Sequence, residues 1–156
     1  MTKLAFVILG EPASKANSRE IVTRGGTMAM VGGRRTMVGG RPMVIKSEKG
    51  RNYEYDAIRQ IPPEAKKMLQ GDLAISIRIF YASERPDLDE SIILDCLQAK
   101  FEKDPNGVRI LARRGVYHND RQIREKHIYH AIDKRNPRAE IEVWPIGQVQ
   151  ADMLAA

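Results

Sequence analysis

The chain has 156 residues and a formal charge of +6, long enough for one domain with a buried core. Apolar content of 42% and charged content of 29% are ordinary for a globular protein, and no apolar stretch approaches the ~20 residues that span a bilayer. A single cysteine, Cys96, excludes an intramolecular disulfide. With no small-residue cleavage site after the short apolar run at the N-terminus, a cytoplasmic protein without a membrane partner is expected.

Leu4-Ala-Phe-Val-Ile-Leu9, closed by Gly10 and Pro12, reads as a buried first strand. From Lys15 to Arg51 nine Lys or Arg stand against Glu20 and Glu48, so this segment carries +7 and the remainder −1. Such a cluster neutralises phosphates and makes Lys15, Arg19, Arg24, Arg34, Arg35, Arg41 and Lys46 candidate nucleic-acid contacts. Within it the sequence repeats itself, Met30-Val-Gly-Gly-Arg34 and Met37-Val-Gly-Gly-Arg41. Paired glycines between β-prone runs signal primed turns, predicting a small meander or a β arm with arginines at its bends. A loop whose repeat has no function is the alternative.

Residues 51–70 have a helical apolar pattern interrupted at Pro62-Pro63 and ended by Gly71. Leu73 to Phe80 alternates, placing Leu73, Ile75, Ile77 and Ile79 on a core face and Ser76 and Arg78 away from it. Apolar residues at 88, 92–94, 96, 97 and 101 predict a well-buried helix from Asp87 to about Lys103, stopped by Asp104-Pro-Asn-Gly107. Gln122–Ala131 and Ala139–Trp144 read as a closing pair of strands around a turn at Lys134–Pro137, with Trp144 in the core. The expectation is α+β: a single small mixed sheet, two main helices packed on it, and a Gly/Arg-rich arm, all in one domain.

Asp87 and Asp89 flank Leu88, and Asp120 follows downstream in Tyr117-His-Asn-Asp120. Magnesium takes oxygen ligands and keeps several waters, so two or three carboxylates can hold it. Capping by Asp87, with Glu90 at the third helical position, explains one or two of these acids without a metal, but not the distant Asp120. Asp95 interrupts the predicted buried helix. A buried carboxylate must be paired, metal-bound or protonated, which leaves an ion pair or support of the metal site. His127 and His130, three apart on a strand, face opposite sides and cannot share a metal. His118 is either a proton shuttle, a phosphate contact or a plain loop side chain. Zinc spacing, a Gly-x-Ser-x-Gly elbow and a Walker loop are absent.

Arg85-Pro-Asp-Leu-Asp89, the run Leu94-Asp-Cys-Leu97, Gly115-Val-Tyr-His-Asn-Asp-Arg-Gln122 and the closing Arg138-Ala-Glu-Ile-Glu-Val143 together resemble the RusA family of Holliday junction resolvases. Gly10-Glu-Pro-Ala-Ser-Lys-Ala-Asn17 also looks like that family's Pro-x-Ser-x-Asn segment, which adds Asn17 to the candidate DNA contacts. The resemblance implies a homodimeric, phage-related endonuclease that cuts four-way DNA junctions by paired nicks. Its cofactor would be Mg2+, with Mn2+ able to substitute, held by Asp87, Asp89 and Asp120. Asn119 stands where the family often has another acid. The family's lysine one turn beyond the second acid has no counterpart, since Ile92 and Ile93 occupy that zone. Lys100, Lys103 and Arg121 are the candidates to supply its charge. A non-catalytic DNA-binding protein and a flap or RNA nuclease are the other readings.

Overall fold

Leu73–Tyr81 is the strand around which the main sheet is built. In the computed structural model, which describes residues 3–14 and 16–147, the chain is α+β and mostly sheet. β1 is Leu4–Leu9; β2 to β5 are Arg19–Arg24, Thr27–Val31, Arg34–Val38 and Arg41–Lys46. Helix α1 spans Glu48–Gln60, β6 Leu73–Tyr81, α2 Ser91–Leu97, β7 Lys100–Lys103, β8 Arg109–Arg113, β9 Ile123–Ile132 and β10 Arg138–Pro145. The main sheet has the order β1-β10-β6-β9. β10 runs antiparallel to both neighbours and β9 parallel to β6.

The alternation of β6 appears as expected: Leu73, Ile75, Ile77 and Ile79 are fully buried, while Ser76 is half-buried and Arg78 exposed. Ile141 pairs with both Ile77 and Phe6, and Ala139 with both Ile79 and Ile8, so three strands present one apolar face. Tyr53, Ala57 and Ile61, together with Ile92, Ile93, Leu94, Cys96 and Leu97, complete the core. Each such side chain taken out of water contributes ~1.5–3 kcal/mol. Burial also pushes the Cys96 thiol up to about 12, which leaves it protonated and unreactive at neutral pH. Among the described residues no helix is long and apolar enough to cross a membrane.

Several expectations are corrected. β9 and β10 do not pair with each other, because β6 lies between them. β10 buries Ala139, Ile141 and Val143 in strict alternation and takes an interior place. β9 carries Arg124, Glu125, Lys126 and His127 in succession and suits an edge. Trp144 is half-buried on the outer face, against His127 and beneath Lys3, and is not core. The helix over 51–70 starts earlier and stops sooner: Ser47 caps α1 by accepting from the Gly50 N–H at 3.1 Å, and Pro62-Pro63 ends it.

The helix expected from Asp87 to Lys103 is only α2, seven residues long. Beyond Leu97 the backbone is captured by a neighbour. The Val116 N–H donates to the Leu97 carbonyl (2.8 Å) and the Ala99 N–H to the Tyr117 carbonyl (2.9 Å). Lys100–Lys103 then pairs with β8, so Asp104–Gly107 is a hairpin turn and not a helix stop. Asp104 Oδ1 caps that turn by accepting from Asn106 and Val108 N–H. The basic stretch 108–114, which reads from the sequence as a loop, is therefore largely strand.

Residues 19–46 form an arm and not a meander. β2 pairs with β5 at its root and β3 with β4 at its end. Only the first Gly-Gly of the repeat reverses the chain, with Gly32 and Gly33 both at positive φ (58° and 80°). The second, Gly39-Gly40, lies opposite Gly25-Gly26 and divides the arm into its two ladders. The root is tied to α1: Ser47 N–H donates to Ser18 O (2.9 Å), Ser47 Oγ to Asn17 O (2.6 Å) and Arg51 Nη1 to Lys46 O (2.6 Å).

Candidate active site and nucleic-acid face

The loop carrying the first two acids is fastened from below by a tyrosine. Tyr81 ends β6 in phase with its buried isoleucines and is 1% exposed, so its hydroxyl needs a partner. It donates to the Asp87 carbonyl (3.1 Å) and accepts from the Asp89 N–H (3.2 Å). His130 on β9 stacks on the Tyr81 ring at 4.8 Å and reaches the Pro86 carbonyl at 3.3 Å. Burial and the charges of Asp89, Glu11 and Glu90 hold the Tyr81 phenol above its ordinary pKa, so it stays a donor. Tyr81 and His130 position Pro86–Asp89. The signal for Tyr81 lay in the strand alternation, one residue past the predicted end.

Asp89 Oδ1 accepts from both the backbone N–H and the hydroxyl of Ser91, at 3.0 and 2.5 Å. Glu90, not Asp87, is the residue before the first turn of α2, and it gives no side-chain cap. The expected cap is thus overturned: the loop is held by Tyr81 and Ser91. Asp87 is exposed.

Asp120 sits in a short turn made rigid by its neighbours. Asn119 Oδ1 accepts from the Arg121 N–H at 2.9 Å, so the residue in the place of an acid is a turn cap. Gln122 Oε1 accepts from His118 and Asn119 N–H, while its amide donates to Leu69 and Gly71 carbonyls. Gln98 Oε1 accepts from the Asp120 N–H at 3.3 Å. His118 is taken up by Gln70 (2.6 Å) and by stacking on Phe101.

Asp95 is on the exposed side of α2, which corrects its placement in a buried helix. With Ser18, Arg19, Lys46, Ser91 and Ile92 it lines a cleft of about 210 Å³ between α2 and the root of the arm. Partial desolvation holds its carboxyl above the usual range; Lys46 and Arg19 act against this, while Asp120 and Glu54 add to it. The charges of Asp95 and Asp120 also both act on the buried Tyr117, whose hydroxyl donates to the Leu94 carbonyl at 2.9 Å. Asp95 thus lines the cleft beside Ser91, which also donates to Asp89, and it feels the charge of Asp120.

The sign of the Asp95 shift gives a prediction. A carboxyl whose folded pKa is raised destabilises the fold once ionised, so its contribution becomes unfavourable as pH rises above the ordinary carboxylate value. Asp95→Asn is expected to raise the melting temperature at pH 7 and to leave it nearly unchanged at pH 3, by calorimetry. A lower melting temperature at pH 7 would show that its pairing with Lys46 and Arg19 dominates.

The basic residues divide by position. Arg19 and Lys46 stand at the cleft, Arg24 and Arg41 at the glycine break, and Arg34 and Arg35 at the tip, all exposed. Asn17 lies at the root; Lys15 lies outside the described residues. Lys46 also pairs with Glu54 of α1. Lys100 is exposed and paired with Glu102 at 2.9 Å, Lys103 is exposed at the hairpin, and Arg121 opens onto a separate groove with Arg124. None of these three lines the Asp95 cleft; Lys46 does. Arg19 faces Lys46 and Arg24 faces Arg41 directly across the β2–β5 ladder. Like charges so placed destabilise a two-stranded ribbon, unless a polyanion lies between them.

No three His, Cys, Asp or Glu side chains stand together as a metal cage among the described residues. The expected donors Asp87, Asp89 and Asp120 are carboxylates, and magnesium is commonly held through one or two of these with water completing the shell. The donor set fits that chemistry. Compared with protein-family models and with curated proteins, the chain matches none.

Proposed function

We propose that this protein is a metal-dependent endonuclease of branched DNA, resolving four-way junctions by paired nicks as the RusA family to which its motifs are similar. The observation that carries the reading is the juxtaposition at the arm's root. Asp95, which feels the charge of Asp120, lines a cleft together with Arg19 and Lys46, below a ribbon in which Arg24 faces Arg41. A cleft with both signs of charge suits a phosphodiester and a hard cation. A bound magnesium or manganese ion would supply charge neutralisation at the phosphate and a lowered pKa for an attacking water. Asp87, Asp89 and Asp120 are the proposed ligands, and Asp95 tunes their field. Lys46 and Arg19 hold the phosphate against those acids, and the arm holds backbone without reading sequence. The protein works as a homodimer in the cytoplasm of a bacterial or phage-infected cell, its two-fold axis matched to that of the junction.

That no three acids stand together among the described residues favours one second reading, a DNA-binding protein without cleavage. Incubation with a synthetic four-way junction, with magnesium and with EDTA, separates them. The nuclease reading expects magnesium-dependent nicks at symmetry-related positions, and light scattering near twice the 17.6 kDa chain mass. Binding without nicks in magnesium or manganese would leave the second.

The arm's part is tested by salt. Neutralising Arg34, Arg35 and Arg41 together is expected to flatten the log–log salt dependence of duplex affinity by ~2.7, at ~0.9 per phosphate contact. An unchanged slope would remove the arm from the DNA interface.

A further inference from the structure

Phosphate binding accounts for the arm's arginines but not for its apolar side chains. Met30 is 67% and Val31 56% exposed at the very end of the ribbon, with Met28 and Met37 exposed just behind them. Exposed apolar groups gathered in one place mark a contact surface. Across the β3–β4 ladder Val31 faces Arg34 and Met30 faces Arg35. Opposite residues share a face and successive residues alternate, so each face of the tip carries one apolar side chain and one guanidinium. The Gly32-Gly33 turn makes this end as narrow as a hairpin can be.

We propose that the tip is a wedge: Met30 and Val31 enter between bases at a DNA branch point, while Arg34 and Arg35 hold the phosphates on either side. This rests on the branched-DNA reading above and assigns the residues that would tell a branch from a duplex. Charge selects the occupant. Between positions 19 and 46 the ribbon has six Lys or Arg against Glu20 alone, which repels a second arm and attracts a polyanion. Inserting apolar side chains into an intact duplex costs a few kcal/mol of unstacking per step. At a branch the stack is already interrupted, so the same insertion favours branched DNA.

The test uses the full-length protein in EDTA, so that nothing is cut. A four-way junction carries 2-aminopurine at the branch, and a linear duplex carries it mid-sequence. Wild type is expected to raise the emission of the junction severalfold and to leave the duplex unchanged. Met30→Ser/Val31→Ser should lose that rise and about tenfold (~1.4 kcal/mol) of its preference for junction over duplex, with duplex affinity kept. Met30→Leu/Val31→Ile should retain the rise, which separates a wedge from a misfolded arm. A serine variant that keeps both emission and preference overturns the proposal. Junction binding by wild type without any emission change overturns the wedge but leaves the nuclease reading standing, whereas no binding to either DNA overturns both. A serine variant of half the wild-type mass by light scattering makes the tip a self-association surface instead, and also overturns it.

Discussion

Cleavage of a four-way junction is expected to fall by roughly a thousandfold, ~4 kcal/mol of lost transition-state stabilisation, in each of Asp87→Asn, Asp89→Asn and Asp120→Asn. Junction affinity measured in EDTA should stay within a few fold of wild type. Asparagine keeps the shape of the side chain and the Ser91 contacts of Asp89 while removing the charge that a cation requires. Loss of a carboxylate also relieves repulsion with incoming phosphate, so binding has no electrostatic reason to weaken. Raising magnesium should rescue the variants in part if affinity for the ion is what was lost. Parallel loss of binding and cleavage in a variant with an unchanged melting curve would count against the assignment. Wild-type activity in Asp87→Asn alone would restrict the ligand set to Asp89 and Asp120.

The second large effect is on stability. A Cβ at position 115 would lie 2.4 Å from Ala99 N, 2.5 Å from the Gln98 carbonyl carbon and 2.6 Å from Leu97 O. All three are backbone atoms within the short ladder that turns the chain from α2 into β7, so none can rotate out of the way. Gly115→Ala is expected to cost ~2–3 kcal/mol, as overpacking does, and to lower the melting temperature by ~5–10 °C in a chain of this size. Because the same ladder carries Tyr117 and leads into the Asp120 turn, cleavage should fall as well. Gly147→Ala, where a Cβ meets nothing within 4 Å, serves as the control and should change stability by less than ~0.5 kcal/mol. A Gly115→Ala protein as stable as that control would show that this approach is looser in solution.

How far the sequence alone could go is seen by comparing elements. It determined the strands of the core, because an alternation such as Leu73-Ala-Ile-Ser-Ile-Arg-Ile is a local pattern that only a half-buried strand satisfies. It marked the middle segment as basic and turn-prone, since the positive φ of Gly32 and Gly33 is a local demand, but left arm, meander and loop open; the pairing of β2 with β5 and of β3 with β4 made it an arm. It also gave the order of the acidic motifs. Only the tertiary structure decided that α2 ends at Leu97: the apolar pattern to Phe101 suits a helix equally well, and the hydrogen bonds that win come from Val116 and Tyr117, far along the chain. Only the tertiary structure separated β9 from β10 by β6, because strand order depends on which strand buries most against both neighbours and leaves no mark within either one. The cleft belongs to the same class. Asp95 and Lys46 are 49 positions apart in the sequence, and they meet because Ser47 ties the root of the arm to α1, whose neighbour in space is α2. Local chemistry is written in spacing, whereas the meeting of distant charges is settled by packing.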